Sequence, residues 1–164
     1  MRAAALILLA GPALGEGLEG LAVSFTVESW EEDRATPLYL GDRFEGVVGG
    51  GPEFGLDRGP SMNGYDTVPV LVDISAARVD LFYKGSGPGI FTQAAFNGYV
   101  MRFDAGDCAV FEGARLDRTV TTLPMAPADV AVEGSALLID VGGMEFGPTD
   151  RIAVEVDVAD CVVG

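Results

Sequence analysis

Residues 68–83, "VPVLVDISAARVDLFY", decide the fold. Val68, Val70, Val72 and Ile74 fall on one face of an extended chain, and after a short turn Val79, Leu81 and Tyr83 repeat the same two-residue period. The polar residues Asp73, Arg78 and Asp80 fall between them. Two alternating runs across a short turn predict an antiparallel hairpin with one face in a core. Pro69 has no N–H to give a ladder, so it belongs at the start of its strand or on an edge.

The same alternation extends in both directions. "LAVSFTVES" sets Val23, Phe25 and Val27 against Ser24, Thr26 and Glu28, and "LYLGDRFEGVV" (residues 38–48) follows with Gly41 marking a bulge or a close backbone approach. "NGYVMRF" (97–103), "ARLDRTV" (114–120), "VAV" (130–132), "ALLIDV" (136–141) and "RIAVEVDV" (151–158) complete the series. No segment shows a helical period. Short strands separated by glycine and proline turns predict an all-β fold of two packed antiparallel sheets, a β-sandwich of jelly-roll or immunoglobulin-like type. A closed barrel is the second architecture compatible with the pattern.

The first fifteen residues, "MRAAALILLAGPALG", combine Arg2, an apolar run from Ala3 to Ala10, a Gly11-Pro12 break and small residues at Ala13 and Gly15. This is the pattern of a secretory signal peptide cleaved after Gly15, and its apolar run falls well short of the ~20 residues a spanning helix needs. Residues 16–164 then form a single domain. Expectation places it in the periplasm or outside the cell, with no membrane span. Cys108 and Cys161 are the only cysteines, and in an oxidising compartment they are expected to pair. Their bridge would close a loop of about 54 residues, worth on the order of 4 kcal/mol in the chain-entropy model.

Composition excludes several functions. The chain has 25 acidic and 10 basic residues, a net charge of −15, which argues against nucleic acid and anionic membrane as partners. It has no histidine, which removes Ser-His-Asp and Cys-His catalysis and the common zinc sites. A pair of carboxylates for glycoside hydrolysis remains open as the enzymatic alternative. "KGSGPGIF" (84–91) lacks the Gly-Lys-Ser/Thr ending of a phosphate cradle and reads as a turn. Residues 46–66 form a long glycine-rich connection, and connections of that length are usually functional or mobile. "GPEFG" (51–55) is echoed by "GMEFG" (143–147), too short a match to make a repeat.

Calcium is the ion that acids in turns would hold, with Asp104 and Asp107 around Gly106 as its candidate ligands; Asp42, Asp66 and Asp150 also lie near turns. The competing reading is that these aspartates cap turns through their own backbone. For carbohydrate recognition the candidate aromatics are Tyr65, Trp30 and Tyr99, of which Tyr65, within a polar loop, is the foremost.

"VGGGPEF", "VDISAARVDLFY", "FNGYVMRFD", "ARLDRTV", "VAVEGSALLIDVGGMEF" and "RIAVEVDV" together resemble a group of exported bacterial proteins, many with a PEP-CTERM-type sorting tail. The resemblance runs from about Val23 to Val158 and is one of pattern. It implies a secreted β-sandwich associated with the cell surface and exopolysaccharide, and it supplies no catalytic residue. The sorting tail itself is absent up to Gly164, so a periplasmic or released protein is expected. The functional expectation is a non-catalytic module binding glycan or a surface or matrix partner. Besides the glycosidase, the alternative is a structural subunit of an extracellular assembly.

Overall fold

The computed structural model describes residues 17–56 and 67–163, with side chains of Leu56 and Val163 excepted. Among the described residues thirteen strands form three antiparallel sheets. The first sheet is built on β1 (Ala22–Trp30) and β8 (Phe96–Asp104), paired over nine residues from Ala22↔Asp104 to Trp30↔Phe96. Beyond β8 lie β11 (Ala136–Asp140) and β10 (Val130–Glu133); on the far side of β1 lie β2 (Tyr39–Leu40) and β3 (Phe44–Val47). The second sheet runs β4 (Phe54–Leu56), β5 (Val70–Ser75), β6 (Arg78–Phe82), β13 (Arg151–Val158), β9 (Phe111–Leu116). A two-stranded ribbon pairs β7 (Gly89–Ile90) with β12 (Glu145–Phe146). Neither main sheet closes on itself, so the chain is a β-sandwich, not a barrel.

The hairpin expected from residues 68–83 is β5 and β6, in register Ile74↔Val79 and Val72↔Leu81, with Pro69 immediately before the first strand. Val72, Ile74, Val79, Leu81 and Tyr83 are fully buried, as are Ile152 and Val154 from β13. They face Phe25, Tyr99, Met101, Leu137 and Ile139 of the first sheet, so the core lies between the sheets. Phe25 stacks on Phe54 at 5.3 Å and on Tyr99 at 5.7 Å, linking the two sheets through aromatic contacts.

The run expected at residues 38–48 is interrupted. Gly41 N–H donates to Val27 C=O at 2.8 Å, and a β-carbon on Gly41 would lie 3.2 Å from both that oxygen and the Tyr39 ring. The close approach read at Gly41 is therefore present, and it separates β2 from β3. The strand read at residues 114–120 begins earlier and stops at Leu116, because the Asp117 carboxylate accepts the Thr119 N–H and hydroxyl at 2.9 and 2.6 Å and turns the chain. Three short strands escaped the reading by period: β4, β7 and β12. Both "EF" pairs of the glycine-flanked echo fall at such strands.

The outer face of the first sheet carries a second small apolar cluster, Phe96, Val100, Ala136 and Leu138, with Trp30 packed against it. Glu28 lies beside this cluster at 4 % exposure. Arg34 reaches it with two nitrogens, at 2.8 and 3.2 Å, and Arg102 with one at 3.1 Å. Charge pairing on this scale is what permits a carboxylate to be buried on a sheet surface.

Cys108 and Cys161 form a disulfide with Cα atoms 6.1 Å apart. It joins the turn after β8 to the short helix α1 (Asp160–Val163) that follows β13. Among the described residues no helix is long and apolar enough to cross a membrane.

Candidate functional site

The strand alternation that makes the core also makes a cleft. On β1 the inward series Val23, Phe25, Val27 continues to Ser29, and on β8 the inward series Phe103, Met101, Tyr99 continues back to Asn97. The register sets Val27 opposite Tyr99 and Ser29 opposite Asn97. Polar residues thus occupy inward positions where these strands reach one end of the sandwich. The second sheet ends there too, with residues 67–69 entering β5 and the turn at Ser86 leaving β6.

Between these ends lies a cavity of about 370 Å³. Its lining includes Val27, Ser29, Tyr39, Asn97 and Tyr99 from the first sheet and Thr67, Val68 and Pro69 from the segment entering β5, together with Ser86, Phe91, Val141 and Phe146. The β7–β12 ribbon forms one wall. Phe146 packs on Phe91 at 4.4 Å, and Gly89 is the residue that allows it, since a β-carbon there would stand 2.6 Å from the Phe146 ring. Opposite, the Tyr39 hydroxyl shares a 3.0 Å hydrogen bond with Thr67 Oγ1. Asn97 is held by its Nδ2, which donates to Thr92 C=O at 2.7 Å, and by its backbone N–H on Asp140 Oδ1 at 3.0 Å.

Ser29, Ser86 and Tyr99 belong to this lining, but their hydroxyl oxygens are buried out of reach of a water molecule. Tyr83 lies behind Tyr99, with ring centroids 6.5 Å apart. The two phenol hydroxyls lie close enough to influence each other's ionisation. Burial pushes both above the ordinary phenol range, so both stay neutral.

No lining residue is charged. Among the described residues, five arginines pair away from it: Arg34 and Arg102 with Glu28, Arg78 with Asp80 and Asp117, Arg151 with Asp80, and Arg115 with Glu155 and Asp157. Electrostatically the cleft is a neutral mouth on an acidic protein.

The residues singled out from sequence fall in different places. Tyr99 lines the cleft. Trp30 has Phe96 stacked on it at 4.0 Å and the Arg34 guanidinium over its ring at 5.2 Å, so its ring is already engaged by the protein itself. Tyr65 and Asp66 lie outside the described residues. Asp104 Oδ1 accepts the Gly106 N–H at 3.1 Å, and Gly106 has φ +63°, so this aspartate caps its own turn. Asp150 likewise accepts the Gly147 N–H at 2.7 Å and the Thr122 hydroxyl at 2.7 Å. Asp104 and Asp107 belong to no group of three or more metal-ligating side chains among the described residues.

Ser29, Ser86, Asn97 and Phe146 were not singled out from sequence. A signal existed for two of them: Ser29 and Asn97 are polar residues in phase with the apolar face of their strands. No family model matches the chain, and neither a curated protein nor a solved structure matches it.

Proposed function

We propose that this chain is an exported, non-catalytic binding module that retains glycan at the cleft. The observation that carries the reading is the lining itself: aromatic rings beside small polar residues such as Thr67, Thr92 and Asn97, with no carboxylate among the described lining residues. Glycoside hydrolysis by two acids needs both carboxyl groups at the scissile bond, about 5 to 9.5 Å apart. A site offering hydroxyls and ring faces alone supplies recognition without an acid or a base. Export is supported by the leader-like first fifteen residues and by the Cys108–Cys161 disulfide, a bond that persists in oxidising compartments.

The test is to pass the protein over immobilised neutral polysaccharides while assaying the same polymers for new reducing ends. Retention with no new reducing ends is the expected result. Release of reducing ends would replace the module by the glycosidase reading, and failure to be retained on any polymer would remove glycan binding altogether.

A further inference from the structure

We propose that β3, the open edge of the first sheet, is the surface by which two copies of this chain pair. The strands run antiparallel about a two-fold axis at Phe44, with Arg43 of each copy opposite Glu45 of the other.

The edge is open in its main chain. Among the described strands β3 pairs only with β1, from Phe25↔Phe44 to Ala22↔Val47. Just beyond it the Val48 N–H donates to Leu21 C=O at 3.0 Å and the Val48 C=O accepts the Gly20 N–H at 2.9 Å, so Val48 turns both its groups toward the β1 side. Main-chain groups alternate in direction along an antiparallel strand. Gly46 and Phe44 therefore turn the same way as Val48, and the N–H groups of Glu45 and Val47 and the carbonyl of Arg43 point away, where no other described strand takes them up. Natural sheets usually blunt such an edge with proline, lysine or a bulge. β3 reads Phe-Glu-Gly-Val in unbroken register with β1 and has none of these. Its apolar side chains also reach solvent, Phe44 at 40 % and Val47 at 62 % exposure.

Charge selects the occupant and the register. A two-fold axis normal to the sheet keeps outward side chains outward, so it falls at a residue and not between two. An axis at Glu45 would set two carboxylates against each other, and one at Gly46 would leave no side chain at the centre. An axis at Phe44 sets Arg43 opposite Glu45 twice. It also brings the two Phe44 rings together at a non-hydrogen-bonded position, where side chains approach most closely. The Glu45 N–H of each copy then donates to the Arg43 carbonyl of the other.

Within one copy Arg43 Nε already lies 3.2 Å from Glu45 Oε1, with both side chains well exposed. Two copies close these ion pairs into a ring of alternating sign. A guard against association would carry one sign, which a second copy would repel; a plus and a minus two residues apart attract their own antiparallel image. On a chain of net charge −15 that local match is what a second copy supplies by construction. Because the contact is isologous, each copy's edge is used up and assembly stops at two.

The test is sedimentation equilibrium of the purified protein in about 0.15 M salt, which screens the general repulsion. Loading runs from about 10 μM to about 1 mM, because a short strand pair buries little area and binds weakly. The same runs are made on Arg43→Glu, on Glu45→Arg and on the double variant, each checked for native near-ultraviolet circular dichroism. The unaltered protein should show a monomer–dimer equilibrium. Each single reversal should weaken it at least about tenfold, by setting like charges opposite each other, and the double reversal should restore it. A protein that stays monomeric at every loading would overturn the proposal and leave the edge to a strand of some other protein. A dimer indifferent to the single reversals would overturn the choice of edge. Losses that the double variant fails to restore would overturn the register at Phe44, and species larger than a dimer would overturn the closed two-fold.

Discussion

At Gly98 the chain has no room for a side chain. A β-carbon there would run into the carbonyl group of Ile139 on the neighbouring strand β11, and a backbone atom has nowhere to swing. Gly98→Ala should therefore cost about 3 kcal/mol, the upper end of what overpacking usually costs, read as a lower urea midpoint with unchanged slope. A second residue-scale effect concerns acid. Asp117 is held down at about 2, first by the Thr119 hydroxyl and next by Arg78. A folded-state value below the unfolded value of roughly 3.9 means that its contribution is present above pH 4 and is lost as pH falls toward 2. Asp117→Asn should flatten the stability profile between those limits, and urea midpoints at pH 5 and pH 2.5 for both proteins measure the difference. An unchanged profile would show that the turn and Arg78 do not hold the carboxylate in solution.

Among the elements, the β1–β2 connection illustrates how a polar outer face becomes buried. Alternation puts Glu28 outward, and outward it is, yet Arg34 from the connection and Arg102 from β8 close over it. Glu28→Ala removes the shared partner of two arginines that retain partial access to water, and it should lower stability by about 2 kcal/mol in thermal or urea unfolding. The longer strands were readable in the sequence because six to nine residues of period two leave little doubt about which face is buried. β4, β7 and β12 were not, because a pair of two or three residues has no period; Phe54 and Phe146 are held by the rings they pack on, Phe25 and Phe91. Of the cleft, Tyr99 was named from the sequence, and a signal also existed at Ser29 and Asn97, where a polar residue breaks an inward apolar series. Ser86, Phe91 and Phe146 reach it from turns and from a ribbon whose strands are about fifty residues apart, and no local pattern announces such a meeting.

Across the whole molecule, two features sit at opposite ends of the sandwich. β8 begins at the cleft and finishes at Asp104, next to the turn that carries Cys108, while Cys161 follows the end of β13. The disulfide is thus a clasp on the end remote from the ligand site. Reduction should lower stability by up to about 4 kcal/mol, seen as a reduced urea midpoint, and leave sugar affinity unchanged wherever the reduced protein is still folded. A fall in affinity that parallels reduction in folded protein would place the disulfide in the binding machinery instead. The central claim is that glycan contact is made at the neutral end of an otherwise acidic sandwich. The most direct measurement is an amide NMR titration of the protein with the glycan it retains. Shifts should concentrate at Ser29, residues 86–92, residues 97–99 and Phe146; shifts centred on the disulfide end or on the outer faces of the sheets would contradict the account.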